Sequence, residues 1–483
     1  MSALLRNERL LVGGGLALAA LGLAAAIGLR AELAPMVALA LAGVVALLLI
    51  MRRPLVGVGL CAALVMTGGL SQVLEASIFQ RLYVIFFAFT CLAYANLLLG
   101  DRQLMRHWLR LRVADLLLLG MLVTAALSLA VAPEWHRGTD SLETLLKGVA
   151  LYVVVSRAIR SADDLVFVAK FMLVGGVWQA STAWTGQGAA TTSGAVTRLS
   201  GNLDSINAFA FALMRAFPWA LFFCFFGRGL WRWLGLAGTV LLSLTALATV
   251  SRTAAAVLVI VAVLWACFST RSLDRRLRSL ALMLVVLALG LSIYGGQLAQ
   301  RWAFVRELSN TSNVAFVVDD DGGRAEMRAA AIAIIADHPV FGVGIGNTPF
   351  FLMQELYRRR PFPVHNMYLE VGADLGLVGL AFFVGLAALG YLRAAALWAR
   401  TRDDRSCALI ATCVAALATW SIFGASGNWH YINFAYLLVA CVHLLPEILA
   451  RGKREDPATA PSPARSAGGG AVGPEVATGR ATP

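Results

Sequence analysis

The sequence predicts an all-α membrane protein that crosses the bilayer many times. Of its 483 residues, 59% are hydrophobic and only 14% are charged, whereas about a quarter of the residues of soluble proteins are charged. Apolar runs of roughly 17 to 22 residues recur along most of the chain, each long enough to cross a hydrocarbon core of about 30 Å as a helix. Strands of a membrane barrel would instead alternate with a period of two.

Hydropathy gives fourteen candidate spans, several of them marginal. The regions 33–70 and 140–158 are also compatible with short or re-entrant pieces, so we expect about 12 true spans, within a range of 12 to 14. The first run follows MSALLRNER, leads directly into further runs, and is expected to remain as a helix rather than to be a cleaved signal peptide. The candidates are 10–29, 33–51, 54–70, 79–99, 114–132, 140–158, 164–185, 205–226, 231–250, 253–268, 279–296, 370–396, 405–422 and 430–450.

Clusters of positive residues predict the orientation of these spans. The clusters alternate onto one side, which we interpret as cytoplasmic, together with both termini. The opposite, periplasmic side then receives one long loop that contains helices, the only stretch large enough for a small subdomain outside the membrane. The clusters lie at 6–9, 52–53, 101–112, 271–278, 393–405 and 451–454.

We divide the chain into four regions on this basis. They are an N-terminal transmembrane bundle (1–296), a periplasmic loop subdomain (297–369), C-terminal transmembrane helices (370–450) and a tail (451–483). Within the loop, the stretch 324–338 has the pattern of a helix that Pro339 ends. The tail is rich in Pro, Ala, Gly and Ser and is expected to be disordered and cytoplasmic.

Charge and cysteine usage argue against two other classes of function. The net charge of +13 comes from short arginine clusters between apolar runs, so they are interpreted as topology signals and not as a nucleic-acid surface. The seven cysteines fall in or beside apolar runs and form no CxxC pair. No two histidines have the i, i+4 spacing of a helical zinc site, so we expect no metal and no cofactor.

Arginines that face outward are candidates for binding an anion, because the positive-inside bias leaves few of them there. Arg198 precedes a span, and Arg252 interrupts an apolar stretch, 233–268, that is too long for one helix. Their guanidinium groups can hold a diphosphate bidentately, although both side chains can also simply reach lipid headgroups. Arg215 lies inside a span, where it either lines a cavity or has a structural partner.

His365 is the strongest catalytic candidate. It lies on the outward side at the membrane boundary, follows an arginine cluster at 358–360, and precedes a span. Neutral imidazole is a natural acceptor for a hydroxyl proton near pH 7, and the N-terminus of a helix disfavours imidazolium. Asn366 can cap that helix, and His338 is a weaker candidate that can equally end the loop helix before Pro339.

Four sequence motifs resemble those of the O-antigen ligase and polymerase superfamily of bacterial inner membranes. The family's ligase signature is His, then Asn, Ser or Gln, then nine residues and G-x-x-G; here it runs from His365 through Gly376 and Gly379. The other three are SRTAA at 251–255, TRLSGNLDSINA at 197–208, and the stretch 322–350 with its H-P-x-x-G-x-G. One departure is DSIN at 204–207, where the family often has N-P-N.

The resemblance implies a fold like that of GT-C glycosyltransferases and glycan transfer on the periplasmic face of the inner membrane. The donor would be an O-antigen polysaccharide on undecaprenyl diphosphate, and the acceptor a sugar hydroxyl of the lipid A core of lipopolysaccharide. The family is regarded as metal-independent and inverting. By this resemblance, His365 would take the acceptor proton, and Arg198, Arg252 and Arg324 would bind the diphosphate as its charge grows.

Three alternatives remain from the sequence. An O-antigen polymerase would use the same donor, and a protein O-oligosaccharyltransferase would use a protein acceptor. A transporter or flippase of lipid-linked glycans belongs to a different class, and its charged residues within spans would line a path. The long outward loop and the few charges within spans favour an enzyme.

Overall fold

The computed structural model describes residues 34–67, 76–185, 190–193, 196–199, 201, 203, 205–310, 322–355, 363–428, 430–431 and 433–455. The first candidate span (10–29), the arginine cluster at 358–360 and the predicted disordered tail beyond residue 455 lie outside the described residues.

The described part of the chain is almost entirely helical. Sixteen α-helices and one two-stranded hairpin account for nearly all of it. The helices are α1 (Ala34–Arg52), α2 (Pro54–Met66), α3 (Ala76–Gly100), α4 (Arg102–Leu109), α5 (Val113–Ser128), α6 (Trp135–Ala158), α7 (Ala162–Thr182), α8 (Ile206–Phe226), α9 (Leu230–Ala248), α10 (Arg252–Phe268), α11 (Leu273–Asn310), α12 (Gly322–Asp337), α13 (Thr348–Glu355), α14 (Met367–Arg400), α15 (Asp404–Gly424) and α16 (Asn433–Glu455).

Within these residues, nine helices are long and apolar enough to cross a membrane. Three shorter apolar helices, at 41–52, 54–66 and 252–268, accompany them. The prediction of an all-α, multi-pass membrane protein is therefore confirmed. Each predicted span from 33–51 onward overlaps a helix, and the loop helix predicted for 324–338 is α12.

Three helices, α8, α15 and α16, form the centre of the bundle. Along α8, every residue from Phe209 to Cys224 is buried. The rings of Phe211, Phe423 and Phe434 join the three helices, with ring centroids 4.8 to 5.0 Å apart. The surrounding helices expose large apolar side chains such as Leu92 and Leu284, as expected of surfaces that face lipid.

Two features of the fold lie outside the simple pattern of spans. The segment between α7 and α8 forms a hairpin of β1 (Ala190–Ser193) and β2 (Val196–Leu199), with Thr191 opposite Arg198. A second small core joins α12, α13 and the start of α14. Its buried members are Met327, Ala331, Ile334, Val343, Leu352, Val364 and Ala373.

Helix α14 is kinked at Gly376. Its backbone there is non-helical, with φ 69° and ψ −175°, a conformation that residues with a side chain rarely adopt. A side chain at this position would also collide with the carbonyl of Val340. Gly372, one turn earlier, packs closely against Ile335 of α12, whereas Gly376 provides a break in the helix.

Candidate functional site

His365 lies in a short loop directly before α14, in a strained backbone conformation. Its φ of 55° is uncommon for any residue other than glycine, although His adopts it more often than most. The neighbouring Val364 is fully buried in the small core against α12, and its N–H donates to the buried carboxyl of Glu370. This anchoring offsets the strain and fixes the half-buried imidazole at the mouth of the bundle.

The first turn of α14 is held firmly in place. The Oδ1 of Asn366 accepts hydrogen bonds from the backbone N–H groups of Tyr368 and Leu369, at 3.0 and 3.2 Å, so Asn366 caps the helix. The Tyr368 hydroxyl donates to the carbonyl of Ser421, at 2.9 Å. Met367 packs against Gly424 at the end of α15. The helix that follows His365 is therefore fixed to the centre of the bundle.

Two guanidinium groups on α12 face His365. Burial lowers the pKa of the His365 imidazole, and the positive charges of Arg324 and Arg328 lower it further. The imidazole is therefore neutral at pH 7 and available to accept a proton. Burial is the larger cause of this shift, and the face of α12 that carries Arg324 and Arg328 adds to it.

Sequence reasoning named Arg324 but missed Arg328. The two arginines are four residues apart and so share one face of α12. The Nε of Arg328 is buried and has no hydrogen-bond partner among the described residues. The spacing of four residues predicts that the two arginines form one cationic face of a helix. Only the packing of α12 shows that this face lies beside His365.

Arg198 and Arg252 meet at a second tight turn. Arg252 is the first residue of α10, and Val250 just before it has φ 51°, a strained value for a β-branched residue. The Nε of Arg198 donates to the carbonyl of Thr249, at 3.1 Å. The cation at the start of α10 adds to the positive end of the helix dipole, which favours a bound anion at this place.

The start of α8 braces the same turn. Ser251 caps α10, with its Oγ accepting from the N–H of Ala254, and the same hydroxyl donates to Oδ1 of Asn207 at 3.3 Å. Ser205 in turn caps α8. The departure from N-P-N in this stretch thus leaves a helix start that still presents Asn207 to the Ser251 turn.

The end of α15 connects the two turns. Thr253 and Ser426 lie with their hydroxyl oxygens 3.4 Å apart, and Ser426 follows shortly after Gly424, against which Met367 packs. The start of α10, which carries Arg252, and the start of α14, which follows His365, therefore both pack against the Gly424–Ser426 corner. Two helix N-termini with cationic side chains converge at one end of the bundle.

Asp374 fixes the loop between α12 and α13 onto the kink of α14. Its buried carboxylate accepts from the N–H of Gly346 (2.9 Å), from the N–H and hydroxyl of Thr348 (3.0 and 2.6 Å), and from the hydroxyl of Tyr431 (3.1 Å). The kink also frees backbone carbonyls, and that of Ala373 accepts from Val343 N–H at 2.8 Å. The H-P-x-x-G-x-G stretch thus supplies the donors that satisfy a broken helix.

Sequence reasoning did not identify Asp374. An acidic residue inside an apolar span was the available signal, since buried carboxylates need partners. Its partners come from a segment more than twenty residues away and from the loop before α16, so the sequence alone did not connect them.

Arg215 is buried within the helical core. Its Nη2 donates to the carbonyls of Val65 and Met66, at 2.8 and 2.6 Å, at the end of α2. Its guanidinium also lies 4.3 Å from the centre of the Phe434 ring. The sequence left open whether Arg215 lines a cavity or has a structural partner, and these contacts fit the second role.

His338 lies outside the region around His365. It is exposed just beyond the C-terminal end of α12, with its ring 5.9 Å from that of Phe351. Ten residues separate it from Arg328, or roughly 15 Å along a helix. His338 thus lies roughly three helical turns beyond Arg328, and its position fits the end of the loop helix.

Among the described residues, no group of three or more His, Cys, Asp or Glu side chains is arranged to hold a metal ion. The described residues at this end of the bundle include a neutral imidazole, several guanidinium groups and two helix N-termini.

Comparison with known protein families identifies the segment that carries these features. Residues 237–384, from α9 to the middle of α14, match the family model described as O-antigen ligase. This match supports membership of the O-antigen ligase and polymerase superfamily. The match includes Arg252, Arg324, His365 and Asp374, whereas Arg198 lies before it. No curated protein shows a significant match.

Members of the O-antigen ligase and polymerase superfamily are glycosyltransferase-like enzymes of lipopolysaccharide biosynthesis. Their substrates are lipid-linked glycans in a membrane, which agrees with a site at one end of a helical bundle. In this chain, the first glycine of the G-x-x-G motif that follows His365 is Gly376, where α14 is kinked and receives the loop.

Asp374→Asn should destabilise the protein, because the new amide group would face backbone and hydroxyl donors that the carboxylate now satisfies. Each buried polar group left without a partner costs about 1–3 kcal/mol. Thermal unfolding in detergent and limited proteolysis of the 340–348 segment measure the effect. Asp337→Asn, at an exposed position on α12, is the matched control. Equal unfolding of the two variants would contradict the role assigned to Asp374.

Arg328→Gln should raise the pKa of His365 toward 6.5, because one of the two nearby positive charges is removed. The neutral form of His365 predominates above its pKa, so the pH range in which the imidazole reacts should move upward. The rate of carbethoxylation of the His365 peptide, followed by mass spectrometry against pH, measures this without any substrate. Arg228→Gln, at an exposed position, should leave the profile unchanged; a shift in both variants, or in neither, would contradict the assignment.

Proposed function

We propose that this protein is an O-antigen ligase. It transfers a polysaccharide from undecaprenyl diphosphate to a sugar hydroxyl of the lipid A core, on the periplasmic face of the inner membrane. The observation that carries the proposal is a neutral imidazole, His365, held at the start of a membrane helix beside Arg324 and Arg328. The diphosphate leaves without being protonated, so the transfer needs a general base but no carboxylic acid paired with it.

His365 acts as the general base in the proposed reaction. Its imidazole nitrogen takes the proton of the acceptor hydroxyl while that oxygen attacks the anomeric carbon of the donor sugar. The bond between that carbon and the diphosphate oxygen breaks, and its electron pair leaves with the diphosphate. Attack from the face opposite the leaving group inverts the anomeric configuration, and no carboxylate nucleophile takes part.

The arginines bind the diphosphate in this proposal. Arg198 and Arg252 meet at the start of α10, where the helix N-terminus favours an anion, and Arg324 lies on α12 beside His365. Charge grows on the diphosphate as the bond breaks, so guanidinium groups that are already in place stabilise the transition state more than the bound substrate. The Gly424–Ser426 corner keeps the base and these cations at one end of the bundle.

The nearest alternative is an O-antigen polymerase of the same superfamily, which would use the same donor and the same cations. The full His-Asn-x9-G-x-x-G signature favours the ligase. A protein O-oligosaccharyltransferase differs only in its acceptor, and a transporter would move the lipid-linked glycan unchanged.

His365→Ala should abolish transfer, with a loss of about 10²–10⁴-fold, the usual contribution of a general base. The assay combines purified protein, a labelled glycan on undecaprenyl diphosphate and truncated lipopolysaccharide, followed by electrophoresis. A ligase produces a new glycan–lipid A band, a polymerase a ladder that remains on the lipid diphosphate, and a transporter no new product. The variant should unfold at the temperature of the wild type; full activity in a folded variant would overturn the role of His365.

Arg252→Lys should lose most of the transfer activity although the positive charge remains. An ammonium group cannot form the two parallel hydrogen bonds that a guanidinium makes to a diphosphate. Initial rates at several donor concentrations separate weaker donor binding from slower chemistry. Arg228 is exposed and has no part in the proposed reaction, so Arg228→Lys is the matched control. Wild-type rates in Arg252→Lys would show that this arginine is structural.

A further inference from the structure

A cavity of about 480 Å³ lies at the end of α14 remote from His365. It is bounded by the residues that lead into α5, by the last turns of α14 and by the second half of α16. Helix α14 has 34 residues, or roughly 50 Å of helical rise, so the cavity and His365 are on opposite sides of the bundle. The lining residues are Arg110, Leu111, Arg112, Val113, Arg393, Ala396, Leu397, Arg400, His443, Pro446 and Glu447.

The cavity has an excess of positive charge. Four arginines line it, and Glu447 is the one acidic residue among the lining side chains. That carboxylate is already bound bidentately by Arg112, with both N to O distances 2.8 Å. Among the described residues, Arg110, Arg393 and Arg400 have no ion-pair partner, and their three guanidinium groups share one concave surface.

A cluster of like charges at a concave surface attracts an anion, most strongly where a guanidinium is partly buried. Arginines on an open surface are solvated separately, but Arg393 is half-buried in the wall of the cavity, where water screens it less. The nearby network leaves no spare acid, because Asp115 is bound by Arg157 at 2.6 Å. Positive topology signals alone require neither a concave site nor a partly buried guanidinium.

The walls of the cavity are apolar and continue onto the surface that faces lipid. Leu111 and Val113 line the cavity and are 69% and 49% exposed, and Leu116 on the next turn of α5 is 52% exposed. On α14, Leu392 beside Arg393 is 69% exposed. A ligand whose charged group lies among the arginines could therefore extend acyl chains along α5 and α14 without leaving the hydrocarbon region.

His443, which lines the cavity, has one buried polar atom without a partner among the described residues. His443 is 3% exposed, and its Nε2–H donates to the carbonyl of Leu386 at 3.0 Å. Its Nδ1 is buried and has no hydrogen-bond partner among the described residues. In this tautomer Nδ1 is an acceptor, so it suits a hydroxyl group and not a phosphate oxygen.

We propose that this cavity binds the headgroup of an anionic glycerophospholipid that carries free hydroxyls, of the phosphatidylglycerol class. The phosphate contacts Arg110, Arg393 and Arg400, a glycerol hydroxyl faces His443, and the acyl chains lie on the exposed apolar residues of α5 and α14. Free phosphate would use the same guanidinium groups but would leave the apolar walls uncovered. The site is separate from the proposed transfer reaction and does not depend on it.

Native mass spectrometry of the delipidated, full-length protein in detergent tests the proposal. Phosphatidylglycerol, phosphatidylcholine with the same acyl chains, and inorganic phosphate are the three probes. The variant R110Q/R393Q/R400Q removes the three uncompensated charges. The control variant R275Q/R278Q/R405Q removes three exposed charges from the same end of the bundle, outside the cavity.

Phosphatidylglycerol should bind the wild type at least tenfold more tightly than phosphatidylcholine, and the cavity variant should lose at least about tenfold in affinity, as expected for lost charge-assisted contacts. The control variant should stay within about twofold of the wild type, since exposed charges contribute little. Equal binding of the two lipids, equal loss in both triple variants, or full competition by inorganic phosphate would overturn the proposal. If the triple variant does not fold, Arg393→Gln alone carries the test, with Arg275→Gln as its control.

Discussion

The hydrogen bonds of the buried Asp374 carboxylate hold together the end of the bundle that contains His365. A helix that breaks inside a bundle leaves backbone carbonyls without partners, and a buried carboxylate needs several donors. Both needs are met by one segment, 343–348, whose backbone N–H groups bind the carboxylate and the freed carbonyls. That docking holds α12 against the start of α14, and so it brings Arg324 and Arg328 to His365.

Electrostatics give this end of the bundle its chemical character. A neutral imidazole, two pairs of arginines and two helix N-termini are gathered at this end of the bundle. Such a surface favours an anion whose charge increases during reaction, and it keeps His365 unprotonated until a hydroxyl supplies a proton. The strained φ values of Val250 and His365 mark the two turns that hold these groups, each fixed by packing of its neighbours.

Hydropathy was enough to predict most of the helices, because a bilayer requires each span to be long, apolar and internally hydrogen-bonded. It was less informative where a segment departs from that rule. Gly376 stood out only as part of a sequence motif, and Asp374 only as an acid within a span. Arg215 illustrates the same limit, since a buried cation can line a site or bind carbonyls, and the carbonyls of Val65 and Met66 lie far from it in the sequence.

The sequence by itself determined the membrane class, the order of the helices, the family motifs and His365 as the candidate base, because these follow from local composition and short spacings. Tertiary structure decided which side chains meet. Arg328 gained a role because α12 turns that face toward His365, and the basic cavity exists because α5, α14 and α16 converge at the opposite end. Contacts between distant segments depend on how helices pack, and packing is a property of the whole chain that no local pattern contains.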